Sequence, residues 1–266
     1  MKIDYGEHQL IMPNLNEDQM LITVNGLLNG GKSIVFNLIK EEDDFIYLDI
    51  SPGHFDLYKD EMINQIGENN VMRIKPFIDS KEIAYNSHVF AREIGFIMKQ
   101  FPNYNFVIKP TKDVLSSKHA EKDKDWCSDF KNFIGIKPKN IHFLFIVRHP
   151  KLSWLTAIKD CPFDIFLDNW NNIYFDVRKK HTRILKVEAI KHDELLKKII
   201  KKTDLNKVIP YTMFDLKAKL KRNFDNVAEE IEIIEKKLKH VYEHLEYDLE
   251  DKYSELFMQD DITFYK

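Results

Sequence analysis

Cysteine is nearly absent from this chain. Cys127 and Cys161 are the only two in 266 residues, far apart and outside any CxxC pair, which argues against a zinc site and a disulfide framework. A reducing compartment is the default expectation. Eight glycines and nine prolines are too few for a collagen-like or low-complexity chain. Long apolar runs are missing too. The longest strongly apolar stretch, Phe143 to Val147, falls far below the ~20 residues that span a bilayer. Residues 1–14 lack a basic segment followed by a long apolar one, so no secretion signal is read there. Nor is there an excess of charge of one sign: 40 Lys and Arg stand against 43 Asp and Glu, a formal net charge of -3. Unspecific binding of nucleic acid needs a positive excess, so any anion site has to be local. The expectation is a soluble, cytoplasmic protein with no nucleic-acid or membrane partner.

What is present is the material for a core: 44% hydrophobic and 31% charged residues in a chain long enough to hide about three quarters of its unfolded surface. Short runs rich in Ile, Val and Phe alternate with longer segments of helical spacing, the pattern of an α/β protein with a parallel sheet flanked by helices. Strands are expected at 20–24, 45–50, 71–74, 105–108, 142–147 and 184–189. Helices are expected at 32–40, 57–66, 80–101, 126–134 and 151–180, the last broken near Cys161-Pro162. The charged stretch 115–125 reads as a surface loop, either a lid or a plain connection. From Phe224 onward, Val227, Ile231, Ile234, Leu238, Val241 and Leu245 alternate steps of three and four, predicting one long helix. The expected division is an α/β domain over 1–222 and a long C-terminal helical extension over 223–266. That extension could form a homodimer through a coiled coil, or more simply pack against its own body.

Residues Met20 to Val24 run into Gly26-Leu27-Leu28-Asn29-Gly30-Gly31-Lys32-Ser33, a GxxxxGKS spacing with an apolar strand before it and a helix after it. A phosphate needs a ring of backbone N–H donors, and glycines allow that approach without side-chain clash. The helix N-terminus adds partial positive charge, Lys32 a full charge and Ser33 a hydroxyl. The loop therefore points to a phosphorylated nucleotide held by Gly26, Asn29, Gly30, Gly31, Lys32 and Ser33. A second anion site is read at Arg148, at the end of a strand, where an open parallel sheet binds ligands. Its guanidinium can fork onto a phosphate. Ser153 and Thr156, five and eight residues on, could complete the contact.

The segment FLFIVRHPKLSWLTAI, with Arg148 before a proline and Thr156 eight positions later, resembles the 3'-phosphate-binding segment of the PAPS-dependent sulfotransferases. Asp168 to Tyr174 and Ile184 to Leu195 resemble the helix and strand that follow it in that family. The resemblance covers about residues 20 to 205. It implies a P-loop sulfotransferase-like fold, the co-substrate 3'-phosphoadenosine 5'-phosphosulfate (PAPS), no metal, and a small-molecule or glycan acceptor. Three positions differ from the family's pattern. Its loop lysine falls on Asn29, the Tyr of its Tyr-Glu-Asp-Leu element on His192, and its histidine base on Thr111.

Sulfuryl transfer asks for a cation beside the leaving bridging oxygen, for which Lys32 is the first candidate and Lys109, at another strand end, the second. It also asks for a base, for which His54, just past the 45–50 strand, is best placed, with Asp49 and Asp56 as alternates. His88, His119 and His149 read as structural. Two other functions stay open. A P-loop kinase using ATP and Mg2+ is favoured by the literal Gly-Lys-Ser, with Asp49 as its metal carboxylate. A nucleotide-binding interaction protein without catalysis is the other.

Overall fold

The computed structural model describes residues 18–27, 30–78, 87–110, 131–135, 140–157, 161–178, 183–187, 190, 193–199 and 227–246. Five strands form one parallel sheet: β1 (Leu21–Gly26), β2 (Phe45–Asp49), β3 (Asn105–Lys109), β4 (Ile141–Val147) and β5 (Arg183–Lys186), in the order β2-β3-β1-β4-β5. The helices are α1 (Lys32–Lys40), α2 (Pro52–Ile66), α3 (Glu68–Ile74), α4 (Ser87–Gln100), α5 (Pro150–Ala157), α6 (Phe163–Arg178), α7 (Glu194–Ile199), α8 (Ala228–Lys237) and α9 (Lys239–Leu245). This is the expected α/β class.

Side chains along each strand alternate between two cores, as the two-residue period of a covered sheet requires. Phe143, Phe145 and Val147 of β4 join one core with Phe106, Phe90, Trp154 and Trp170. Leu144 and Ile146 join the other, with Val35, Phe36 and Ile39 of α1. The start of β1 is held by Gln19, whose amide donates to the carbonyls of Met98, Phe101 and Tyr104 at 2.8 to 3.0 Å.

Three expectations are corrected. Residues 71–74 form the end of helix α3, not a strand. Val-Met-Arg-Ile is too short to reveal its period, and burial of Asn70, Val71 and Ile74 follows helical spacing after Gly67, whose φ is 81. Helix α2 begins at Pro52, five residues before the expected start. Ser51 caps it from extended backbone, and Pro suits the first turn. The long C-terminal helix is instead two short ones that meet at Leu238, and Glu246 in left-handed backbone ends the second. Ile234, Leu238, Val241, Tyr242 and Leu245 belong to the same core as the sheet. The 115–125 loop, Asn29, His119 and residues 126–130 of the helix expected at 126–134 lie outside the described residues.

Two outcomes follow from this packing. Leu238→Ala should lower unfolding free energy by about 2–5 kcal/mol in a single urea transition, since it empties a site fully closed to solvent. A loss under about 0.5 kcal/mol would mean that α8 and α9 are not part of the cooperative core. His142, at the start of β4, is held below its ordinary value of 6.5 by burial first, then by the positive Arg183 and Lys131. The unfolded chain therefore takes up this proton more readily than the folded one. The contribution to stability is complete above the unfolded pKa and is lost as pH falls below it. His142→Gln should flatten that acid-side loss in denaturant titrations run downward from pH 7.

Candidate functional site

The glycine turn lies between the end of β1 and the start of α1, at the C-terminal edge of the central strand. Gly26 pairs in register with Ile146 of β4, and a Cβ placed on Gly26 would lie 2.4 Å from the Ile146 carbonyl oxygen. Only glycine permits that approach. Gly31 caps α1 from left-handed backbone at φ 91, a conformation that side chains resist. Lys32 is buried, and its stem crosses Gly26, with Cγ 3.0 Å from the Cβ position of that glycine. Ser33 is partly exposed in the first turn of α1.

Arg148 leaves the end of β4 and folds back onto this turn. Its Nη2 lies 3.3 Å from the Cβ position of Gly31, and Cγ2 of Val187, just past β5, lies 2.5 Å from the same position. The two anion sites read from sequence are thus neighbours across two adjacent strands. Ser153 is fully buried and donates to the Arg148 carbonyl at 3.4 Å, which anchors the backbone at the strand end. The Thr156 hydroxyl faces carbonyls of its own helix, Ser153 at 2.9 Å and Leu152 at 3.1 Å. Ser and Thr commonly bond back in this way within a helix.

A second cluster sits at the ends of β2 and β3. The Lys109 ammonium donates to Asp49 Oδ2 at 2.6 Å and lies 3.0 Å from His54 Nδ1. Asp49 is fully buried, and its other oxygen, Oδ1, accepts the Ser51 N–H at 3.1 Å and the Ser51 hydroxyl. The Lys109 charge also stands 5.4 Å from the ring centroid of Phe36. His54 is in the first turn of α2 and keeps 44% of its side chain exposed. Of the residues expected to matter, His54, Lys109 and Asp49 are therefore brought into one contact set, whereas Asp56 points into solvent from α2. His149 is buried with its ring edge-on to Tyr242, 5.1 Å between centroids, and His88 lies against Phe133.

Sequence reasoning did not find the residues that hold the Arg148 segment from behind. Glu235 of α8 pairs with the buried Lys151, Glu230 accepts the Trp154 indole N–H at 3.0 Å, and the Lys186 ammonium donates to the Leu245 carbonyl at 2.7 Å. Acidic residues on a helix give no sign of which distant helix they meet. Ser51 was also missed, though the Ser-Pro order is a helix-start signal that could have found it.

Fold and loop together make this an α/β protein in which a strand, a glycine turn carrying Gly-Lys-Ser and a helix follow in succession. No protein-family model matches the chain, and no curated protein matches it. Solved structures similar to it include shikimate kinase from Bacteroides thetaiotaomicron, at 12% identity over 68% of this chain and 94% of that one, TM-score 0.37. Another comes from the PezAT chromosomal toxin-antitoxin system of Streptococcus pneumoniae, at 13% identity over 81% of this chain and 90% of that one, TM-score 0.38. Among the described residues, no helix is long and apolar enough to cross a membrane.

Lys109→Met tests the buried pair. Removal of one partner strands the other charge in the interior, so unfolding free energy should drop by about 3–5 kcal/mol. A urea midpoint that hardly moves would mean that Asp49 does not depend on the ammonium.

Proposed function

We propose that the protein is a nucleotide-dependent transferase that moves a sulfuryl group from PAPS to a hydroxyl or amine of a soluble small-molecule or glycan acceptor. The observation that carries this reading is the Arg148 guanidinium lying against Gly31, so that two cationic side chains, one just past β4 and one opening α1, share one glycine turn. A donor with phosphate at both the 5' and the 3' position of one ribose is the kind of polyanion that such a pair suits. The loop N–H groups and Lys32 hold the 5' side, and Arg148 the 3' phosphate. The bond between sulfur and the bridging oxygen breaks as the acceptor atom bonds to sulfur. The acceptor proton passes to solvent water, and Lys32 stabilises the charge left on the bridging oxygen.

Phosphoryl transfer from ATP is the second reading, favoured by the literal Gly-Lys-Ser and by a carboxylate at the end of β2. That carboxylate fits Mg2+ poorly. Both Asp49 oxygens are already taken by Lys109 and Ser51. Among the described residues, no group of three or more His, Cys, Asp and Glu side chains could hold a metal ion.

Thermal denaturation with adenosine 3',5'-bisphosphate and, separately, with ATP-Mg2+ separates the two readings. A ligand at one hundred times its Kd stabilises the folded state by about 2.7 kcal/mol. The bisphosphate should raise Tm more than ATP-Mg2+ does, and Arg148→Ala should remove that rise while weakening adenosine 5'-monophosphate much less. A rise with ATP-Mg2+ alone would favour the kinase, and equal losses for both mononucleotides would contradict the placement of the 3' phosphate.

A further inference from the structure

Resting on the transferase reading, we propose that His54 recognises the acceptor as a hydrogen-bond donor of fixed tautomer, binding a carbonyl or carboxylate oxygen beside the reacting group, rather than removing its proton. The cluster at the ends of β2 and β3 dictates the tautomer. An ammonium 3.0 Å from Nδ1 cannot face an Nδ1–H, because two donors would then meet head-on. The ammonium is itself tied to a fully buried carboxylate at 2.6 Å, so it is held where it stands. Nδ1 therefore accepts from Lys109, and the neutral imidazole carries its proton on Nε2.

Both contacts to the buried pair engage Nδ1, which leaves Nε2 for another partner, and the side chain is 44% exposed. Nε2 presents an N–H, which donates to a lone pair and cannot take a proton from a hydroxyl. The contrasting arrangement would turn Nδ1–H toward Asp49 Oδ2, 3.3 Å away, and leave Nε2 bare as a base. Lys109 stands against it, being closer both to the ring nitrogen and to the carboxylate oxygen than these are to each other. Asp49 is no substitute base, since Oδ1 takes two bonds from Ser51 and Oδ2 the Lys109 ammonium. The paired Lys109 and Asp49 charges balance, so the face presented to an acceptor is a neutral donor backed by a fixed pair.

The test is nitrogen-15 NMR of the full chain with labelled histidine, the His54 signal being assigned by its loss in His54→Gln. Above the titration range of the ring, two-bond couplings should place the proton on Nε2. Lys109→Met should move it to Nδ1, because Asp49 then becomes the nearest partner. Acetate should shift the His54 Nε2–H signal relative to chloride at equal ionic strength, and methylammonium should not. A proton on Nδ1 in the unaltered protein overturns the proposal, whatever the variant does. A signal indifferent to acetate overturns the proposed acceptor chemistry. Nucleotide binding enters none of these readouts, so failure of the transferase reading would leave the tautomer result standing, and the converse holds as well.

Discussion

The close approach of β1 to β4 is the constraint on which the site depends. With no side chain on Gly26, the end of β1 can lie against the Ile146 carbonyl in continuous parallel register from Leu21 to Gly26. That register sets the height at which β4 ends. It brings the next residue but one, Arg148, level with the left-handed Gly31. A Cβ at Gly26 would meet the Ile146 carbonyl oxygen at 2.4 Å, and one at Gly31 would meet Val187 Cγ2 at 2.5 Å, so the strand pairing and the packing of the turn on Val187 both exclude it.

Positive charge gathers at this edge of the sheet because the strands deliver it there. Lys109 ends β3, Lys186 ends β5, Arg148 follows β4, and Lys32 opens α1 after β1. Buried charge is costly without a partner, and the fold answers this differently at each place. Lys109 is matched with Asp49, while Lys186 is capped by the carbonyl that closes α9. Lys151 behind Arg148 is matched with Glu235. Arg148 and Lys32 stand at the glycine turn itself, Arg148 against Gly31 and Lys32 against Gly26.

The C-terminal helices serve that arrangement. Through Glu230, Glu235 and Tyr242 they hold Trp154, Lys151 and His149, which belong to or adjoin the helix that follows Arg148. Their apolar side chains enter the core beside Trp154 and Trp170, each worth about 1.5–3 kcal/mol when fully buried. The same side chains, spaced by threes and fours, had predicted a helix correctly and its length incorrectly. Periodicity reports which face is apolar, and Leu238 stays on that face although the helix stops there.

The sequence by itself determined the parallel α/β class, four of the five strands to within two residues, the glycine turn with Lys32 and Ser33, and the strand end at Arg148. These are local properties, because a two-residue period, a Gly-Lys-Ser turn and an Arg-x-Pro order act between near neighbours in the chain. Tertiary structure alone decided that Arg148 lies on Gly31, 117 residues earlier in the chain. It also decided that Lys109, Asp49 and His54 form one contact set, and that the C-terminal segment packs behind the helix that follows Arg148. Such pairings depend on strand order and on which side chains share a buried volume, and neither is encoded in spacing along the chain. Residues 71–74 show the limit from the other side: four apolar-rich residues fit strand and helix alike, and the packing of Val71 and Ile74 made them helical.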